Sequence, residues 1–235
     1  MPTPSATPMP EVILYHPLYA QFEILCPGGQ RVLIDVYDPA ALSQPPTADD
    51  ILLTTHTHFD HYNEAFIQNF PGEQLAMEEG VIEREGLKVT GIASAHNIGD
   101  RLLPRHGTNY IYLIETAGLR IAHFGDIGQE KLTSEQLAQL QALDVAITQL
   151  DNPYSDMNLQ NQKGFNLMAE VQPRLIIPTH ASPEALAQAL QAWNGYAALT
   201  QPVHLSTARL EQSTILLLVG KKAEENGAKF DLRKW

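Results

Sequence analysis

Four side chains able to bind a metal ion lie within six consecutive residues of this 235-residue chain. They are His56, His58, Asp60 and His61, in the run Thr54-Thr55-His56-Thr57-His58-Phe59-Asp60-His61-Tyr62-Asn63. Imidazole nitrogens and carboxylate oxygens suit zinc well, and iron and manganese also. On an extended backbone alternate residues share a face, so His56 and His58 point to one side. A turn after the strand brings Asp60 and His61 to a neighbouring position, and the spacing therefore suits two adjacent divalent ions rather than one. Two such ions roughly 3.5–4 Å apart can share a water, lower its pKa to near neutrality and direct it at a carbonyl or phosphoryl centre.

The elements that must position these groups are short apolar strands. Ile51–Thr55 predicts a strand that runs straight into the cluster. Three further ligand-type residues stand in the same context, just past an apolar strand. His96 follows Leu87–Ser94, Asp126 follows Leu119–Phe124, and His180 follows Arg174–Pro178. Ligands in open mixed folds gather at one end of the strands, so this repeated placement is what a single site requires. Around them, Gln21–Cys26 and Arg31–Val36 flank Pro27-Gly28-Gly29 as a hairpin. Asn109–Glu115 pairs with Leu119–Phe124 across Ala117-Gly118. Val145–Leu150, Val203–Ser206 and Thr214–Val219 complete the expected strands. Helices are expected over Asn63–Phe70, from the Thr133/Gln136 capping box to Leu143, over Gly164–Val171, and from Ser182-Pro183 to Trp193. Asp151–Lys163, rich in amides, reads as a polar loop.

With the order His56-x-His58-x-Asp60-His61, then His96, Asp126 and His180, the chain resembles the metallo-β-lactamase superfamily over about Val12 to Val219. The resemblance implies an α/β fold, a four-layer αββα sandwich with the metals at one edge of the sheets. It implies His56, His58 and His96 on one ion, Asp60, His61 and His180 on the other, and Asp126 bridging both. Asp60 would then also orient the nucleophile or pass a proton onward. Asp35, in Leu33-Ile34-Asp35, looks like the aspartate that supports the site from behind. Antibiotic-hydrolysing members commonly place a cysteine among the ligands, whereas the lone Cys26 lies on an N-terminal strand. Flavodiiron members usually carry glutamate where this chain has His58. The short chain looks most like small metal-dependent hydrolases of the ascorbate-6-phosphate lactonase type.

Other groups near the ligands are candidates for supporting roles. Tyr62 and Asn63 adjoin the cluster and are candidate substrate contacts. Arg101, Arg105 and His106 follow His96 and are candidates to clamp a carboxylate or phosphate. His123, three residues before Asp126, is expected to support a ligand rather than be one.

Composition bounds the function. Fifteen basic against 27 acidic residues give a formal charge of −12, which disfavours a general nucleic-acid surface. A single cysteine excludes an internal disulfide and a multi-cysteine zinc site, and no apolar run reaches membrane-spanning length. Residues 1–10 read as a Pro/Thr-rich linker or tail, and 11–235 as one hydrolase domain. The stalk-like tail tilts localisation toward an extracytoplasmic site over the cytoplasm. The expected function is dinuclear hydrolysis of a small-molecule ester, lactone or phosphoester, with two zinc ions foremost. A phosphodiesterase or nuclease of the same fold and a non-catalytic metal-binding scaffold are the alternatives. Oligomeric state is left open.

Overall fold

A computed structural model describes residues 10–18, 20–97, 108–193, 196–198, 202–208, 210 and 214–218. All but the last residue of the proline-rich tail lies outside that set. In chain order the strands are β1 (Val12–Leu18), β2 (Gln21–Leu25), β3 (Arg31–Ile34), β4 (Ile51–Thr54), β5 (Glu73–Ala76), β6 (Gly80–Arg84) and β7 (Leu87–Ser94). They continue with β8 (Asn109–Thr116), β9 (Leu119–His123), β10 (Val145–Thr148), β11 (Leu175–Pro178), β12 (Tyr196–Ala198), β13 (Val203–Leu205) and β14 (Thr214–Leu218). One sheet has the order β13-β1-β2-β3-β4-β5, and the other β12-β14-β11-β10-β9-β8-β7-β6. The helices are α1 (Glu64–Gln68), α2 (Ser134–Gln139), α3 (Lys163–Val171) and α4 (Pro183–Ala192).

Side-chain alternation along the strands builds the layers. In β3, Val32 and Ile34 enter the central core while Leu33 faces the opposite way. In β4, Ile51 and Leu53 go to the centre and Leu52 away. Leu33 and Leu52 meet Phe66, Ile67 and Phe70, so α1 covers the outside of the first sheet. The second sheet repeats the pattern. Tyr112, Ile114, Val145, Ile147 and Ile177 face the first sheet, whereas Ile111, Leu113, Ala146 and Ile176 face Leu140, Leu167, Met168, Ala185 and Ala189. Helix, sheet, sheet and helices therefore stack in the αββα order expected, each apolar face closed by the next layer.

The pairings set which strand ends meet. β3 runs parallel to β4, and β9 to β10 to β11. β7 and β9 are each antiparallel to β8, so they too point the same way. Six C-terminal strand ends thus lie along one edge of the sandwich. The loop that returns to β4 is pinned by a buried ion group: Arg31 lies 3.1 Å from Glu23 and 2.6 Å from Asp50, and donates to the Gln44 and Pro45 carbonyls.

Several elements differ from expectation. The strand expected to reach Val36 stops at Ile34, because Asp35 turns into a left-handed conformation at φ 50°. The helix expected to reach Leu143 ends after Gln139, ahead of Ala142 at φ 51°. β5 and β6 were not expected: each buries a single large apolar residue, Leu75 or Ile82, and alternates with charged ones. β1 and β12 were likewise unexpected. The amide-rich stretch is no simple surface loop, for it contains a 3-10 turn at Pro153–Ser155 and buries Asn152, Ser155 and Met157.

Candidate metal centre

Each strand end at the common edge delivers one or more polar side chains. β3 hands over Asp35, whose left-handed turn sends a fully buried carboxylate sideways toward the end of β4. Asp is among the residues that adopt this backbone most readily, since its short polar side chain can offset the cost with hydrogen bonds. There the carboxylate accepts the Thr55 amide at 2.7 Å, the Thr55 hydroxyl at 2.8 Å and His61 Nδ1 at 2.7 Å. A carboxylate only accepts, so the His61 proton sits on Nδ1 and Nε2 faces the cluster. The Thr55 hydroxyl, with its hydrogen committed to Asp35, accepts from His56 Nδ1 at 2.9 Å. His56 is thereby left with a bare Nε2. One carboxylate and one hydroxyl thus fix the tautomers of two imidazoles.

The seven ligand-type residues converge as two groups. His56, His58, His96 and Asp126 form one, and Asp60, His61 and His180 the other, with the donor atoms of each within 4.8 Å of one another. Asp126 stands between them with its two oxygens divided. Oδ2 is 3.6 Å from His56 Nε2 and 3.8 Å from His96 Nε2. Oδ1 is 3.4 Å from both His61 Nε2 and His180 Nε2. Asp60 Oδ2 approaches His180 Nε2 at 3.6 Å and His61 Nε2 at 4.0 Å. The two facing nitrogens, His61 Nε2 and His180 Nε2, are only 3.1 Å apart.

Electrostatics follow from this crowding. Burial, reinforced by the neighbouring His61, His96 and His58, drives His56 well below the ordinary imidazole range. Burial also lowers His180, against the opposing pull of Asp126. His61 is the exception: burial would lower it, but Asp35, then Asp126 and Asp60, outweigh that and raise it to about 9. Without a cation, the cluster therefore holds its positive charge at His61. Two buried donor atoms, His56 Nε2 and Asp126 Oδ1, make no hydrogen bond among the described residues.

A second set of residues holds Asp126, and sequence reasoning missed it. The Asp126 amide donates to Asn109 Oδ1 at 2.9 Å. Asn152 Nδ2 donates to Asp126 Oδ2 at 2.7 Å and to Gln149 Oε1 at 2.7 Å. Gln149 in turn holds the Ile127 carbonyl and the Ser155 hydroxyl, and Lys163 Nζ binds the Gly128 carbonyl at 3.0 Å. Gly128 permits the close approach, since a Cβ there would collide with the His96 and Ser155 carbonyls. The Asn152-Pro153 step was the one local signal available, as a turn initiator. Thr55, just past the end of β4, carried none.

The remaining candidates divide. His123 is buried in the core, edge-on to Phe22, and its Nδ1 accepts the Gly125 amide at 3.1 Å just ahead of Asp126. Asn63 caps α1, accepting from the Phe66 amide and donating to the Tyr37 carbonyl. Neither Asn63 nor Tyr62 lines the cavity at the cluster. Arg101, Arg105 and His106 lie outside the described residues. Cys26 is buried in the central core and away from the cluster, and burial raises its thiol pKa. The cavity has a volume of about 680 Å³ and is floored by His58, Asp60, Asp126 and His180.

Residues 19–180, which carry every ligand strand and both groups, match the beta-lactamase superfamily domain. The chain belongs to the metallo-β-lactamase superfamily. Within this superfamily it is 28% identical to a UPF0173 metal-dependent hydrolase of Thermococcus onnurineus, over 69% of this chain and 81% of that protein. A second such hydrolase, from Thermoplasma acidophilum, is 24% identical over 72% and 82%. Among solved structures, a metallo-β-lactamase superfamily protein of Thermotoga maritima superposes with a TM-score of 0.64 at 18% identity, covering 89% of this chain and 99% of that one. The superposition agrees with the layered fold.

Proposed function

We propose that this superfamily member is a dinuclear metal-dependent hydrolase acting on a small ester, lactone or phosphoester. The observation that carries the reading is the divided carboxylate of Asp126, one oxygen toward each group of imidazoles. His56, His58 and His96 hold one divalent ion, and Asp60, His61 and His180 the other. The donor set fits: two of its buried atoms, His56 Nε2 and Asp126 Oδ1, make no hydrogen bond among the described residues, and His61, its Nδ1 held by Asp35, turns Nε2 toward the cluster, where a cation would displace its proton. Imidazole and carboxylate donors favour zinc, with manganese or iron as chemically reasonable substitutes. When bound, the pair supplies Lewis acidity and a water of near-neutral pKa.

The chain's own residues do the rest. Asp60, part-exposed and lining the cavity, is the acceptor that takes a proton and passes it toward the leaving group. Asp35 and Thr55 hold His61 and His56 in the ligating tautomers. Asn152 keeps Asp126 from rotating.

Metal analysis of the purified protein, reloaded with zinc or manganese, tests the reading together with a panel of esters, lactones and phosphoesters. About two ions per chain and turnover lost in Asp60→Ala are expected. A single ion per chain at saturation, or a loaded protein inert on the whole panel, refutes it.

A further inference from the structure

Three large apolar side chains stand exposed among the described residues: Phe59, Val81 and Tyr154. Val81 lies on the edge strand β6. The other two line the same cavity, above the Asp60, Asp126 and His180 floor, and come from separate loops. Phe59 is 85% exposed although it sits between two ligand-type residues, His58 and Asp60. Tyr154 is 75% exposed, yet the turn that carries it is fastened from within. Its amide donates to Asn152 Oδ1, the neighbouring Ser155 is fully buried on Gln149, and Asn152 and Met157 close a β-bridge around it. A turn held this firmly has no packing reason to leave its aromatic ring in water.

We propose that Phe59 and Tyr154 are the specificity-determining walls of the site and select a substrate with a flat, uncharged apolar group next to the scissile bond. The proposal rests on the hydrolase reading and names its substrate class. Two aromatic rings on separate loops of one cavity offer faces and edges to such a group, and they gain apolar contact only when it is there. Asp151, on the same wall, repels phosphate-bearing substrates and turns the preference toward neutral carboxylic esters and lactones. In the reaction, water adds to the ester carbonyl, the acyl–oxygen bond breaks, and the alcohol leaves with one proton while the other stays with the acid formed.

The experiment compares methyl 3-phenylpropanoate with methyl acetate on the zinc-loaded full chain, since the two esters share a leaving group. The wild type is expected to favour the phenyl ester in kcat/KM. Phe59→Ala and Tyr154→Ala each cut that ratio about two- to tenfold, the range of a single aromatic contact. Val81→Ala leaves the ratio unchanged. Equal preference in the wild type, or an unchanged ratio in the double variant, overturns the proposal. If no ester is turned over, saturation-transfer NMR with 1-phenylpentan-3-one, the non-hydrolysable ketone in which CH2 replaces the ester oxygen, decides it separately. Binding to the wild type that is lost in Phe59→Ala/Tyr154→Ala upholds the aromatic walls while sinking ester hydrolysis, and no binding to the wild type sinks the walls.

Discussion

Changing Asp35 to Asn alters one atom of the buried support and leaves shape and backbone intact, because Asn accepts the left-handed conformation as readily as Asp. In the wild type, the carboxylate accepts three hydrogen bonds of 2.7–2.8 Å, one of them from His61 Nδ1. An amide can keep the Thr55 N–H on its oxygen, but its NH2 then confronts the Thr55 hydroxyl and His61 Nδ1. To avoid two donors facing each other, His61 must move its proton to Nε2, the nitrogen that faces Asp126 at 3.4 Å. A protonated Nε2 cannot ligate. Loss of such a supporting partner typically costs 10- to 100-fold in metal affinity, or about 1.4–2.7 kcal/mol. The loss should fall on the Asp60–His61–His180 group and spare the His56–His58–His96 group more. On the dinuclear reading proposed above, competition against a chromophoric zinc chelator should resolve two dissociation constants per chain, and Asp35→Asn should weaken one by that factor. If both constants match the wild type, the tautomer argument is wrong.

Other perturbations probe the scaffold. Arg31→Met leaves Glu23 and Asp50 buried without their cation, so a loss of about 3–5 kcal/mol and a fall in Tm on the order of 10 °C are expected by calorimetry. Gly128→Ala drives a methyl into the His96 and Ser155 carbonyls, and metal content as well as Tm should drop. His123 is held near 4 chiefly by burial, below its unfolded value of about 6.5. Its contribution is therefore complete above pH 6.5 and is lost as pH falls toward 4, roughly 3 kcal/mol in all. Urea titrations of metal-loaded His123→Phe should show a shallower decline across that window than the wild type, and equal slopes would refute it.

The ligand set was legible because it is partly local and partly tied to strand ends. Four donors fall within six residues, and His96, Asp126 and His180 each follow an apolar run that reads clearly as β. Asp35 was legible only through the resemblance to the superfamily, carried by Leu33-Ile34-Asp35. Thr55, Asn109, Gln149 and Asn152 were not, because a hydroxyl or amide acquires its role only from what approaches it across the fold, and no periodicity marks that. The edge strands β5 and β6 escaped for a related reason: with one large buried side chain each, their alternation is too weak to separate from a charged loop. Phe59 was written into the motif itself, but that its ring stands in water is a property of the tertiary arrangement alone.

The division of Asp126 between the two groups has a consequence for how the molecule reaches its native state. His56, His58, Asp60 and His61 are neighbours in the chain and can capture a cation before any sheet exists, whereas Asp126 and His180 arrive only when the second sheet has docked on the first. Metal bound early to the unfolded chain thus stabilises the wrong side of the folding equilibrium, and the net gain from metal is smaller than the native affinity alone would give. Refolding in chelator followed by metal addition should recover more active protein than refolding with metal present from the start.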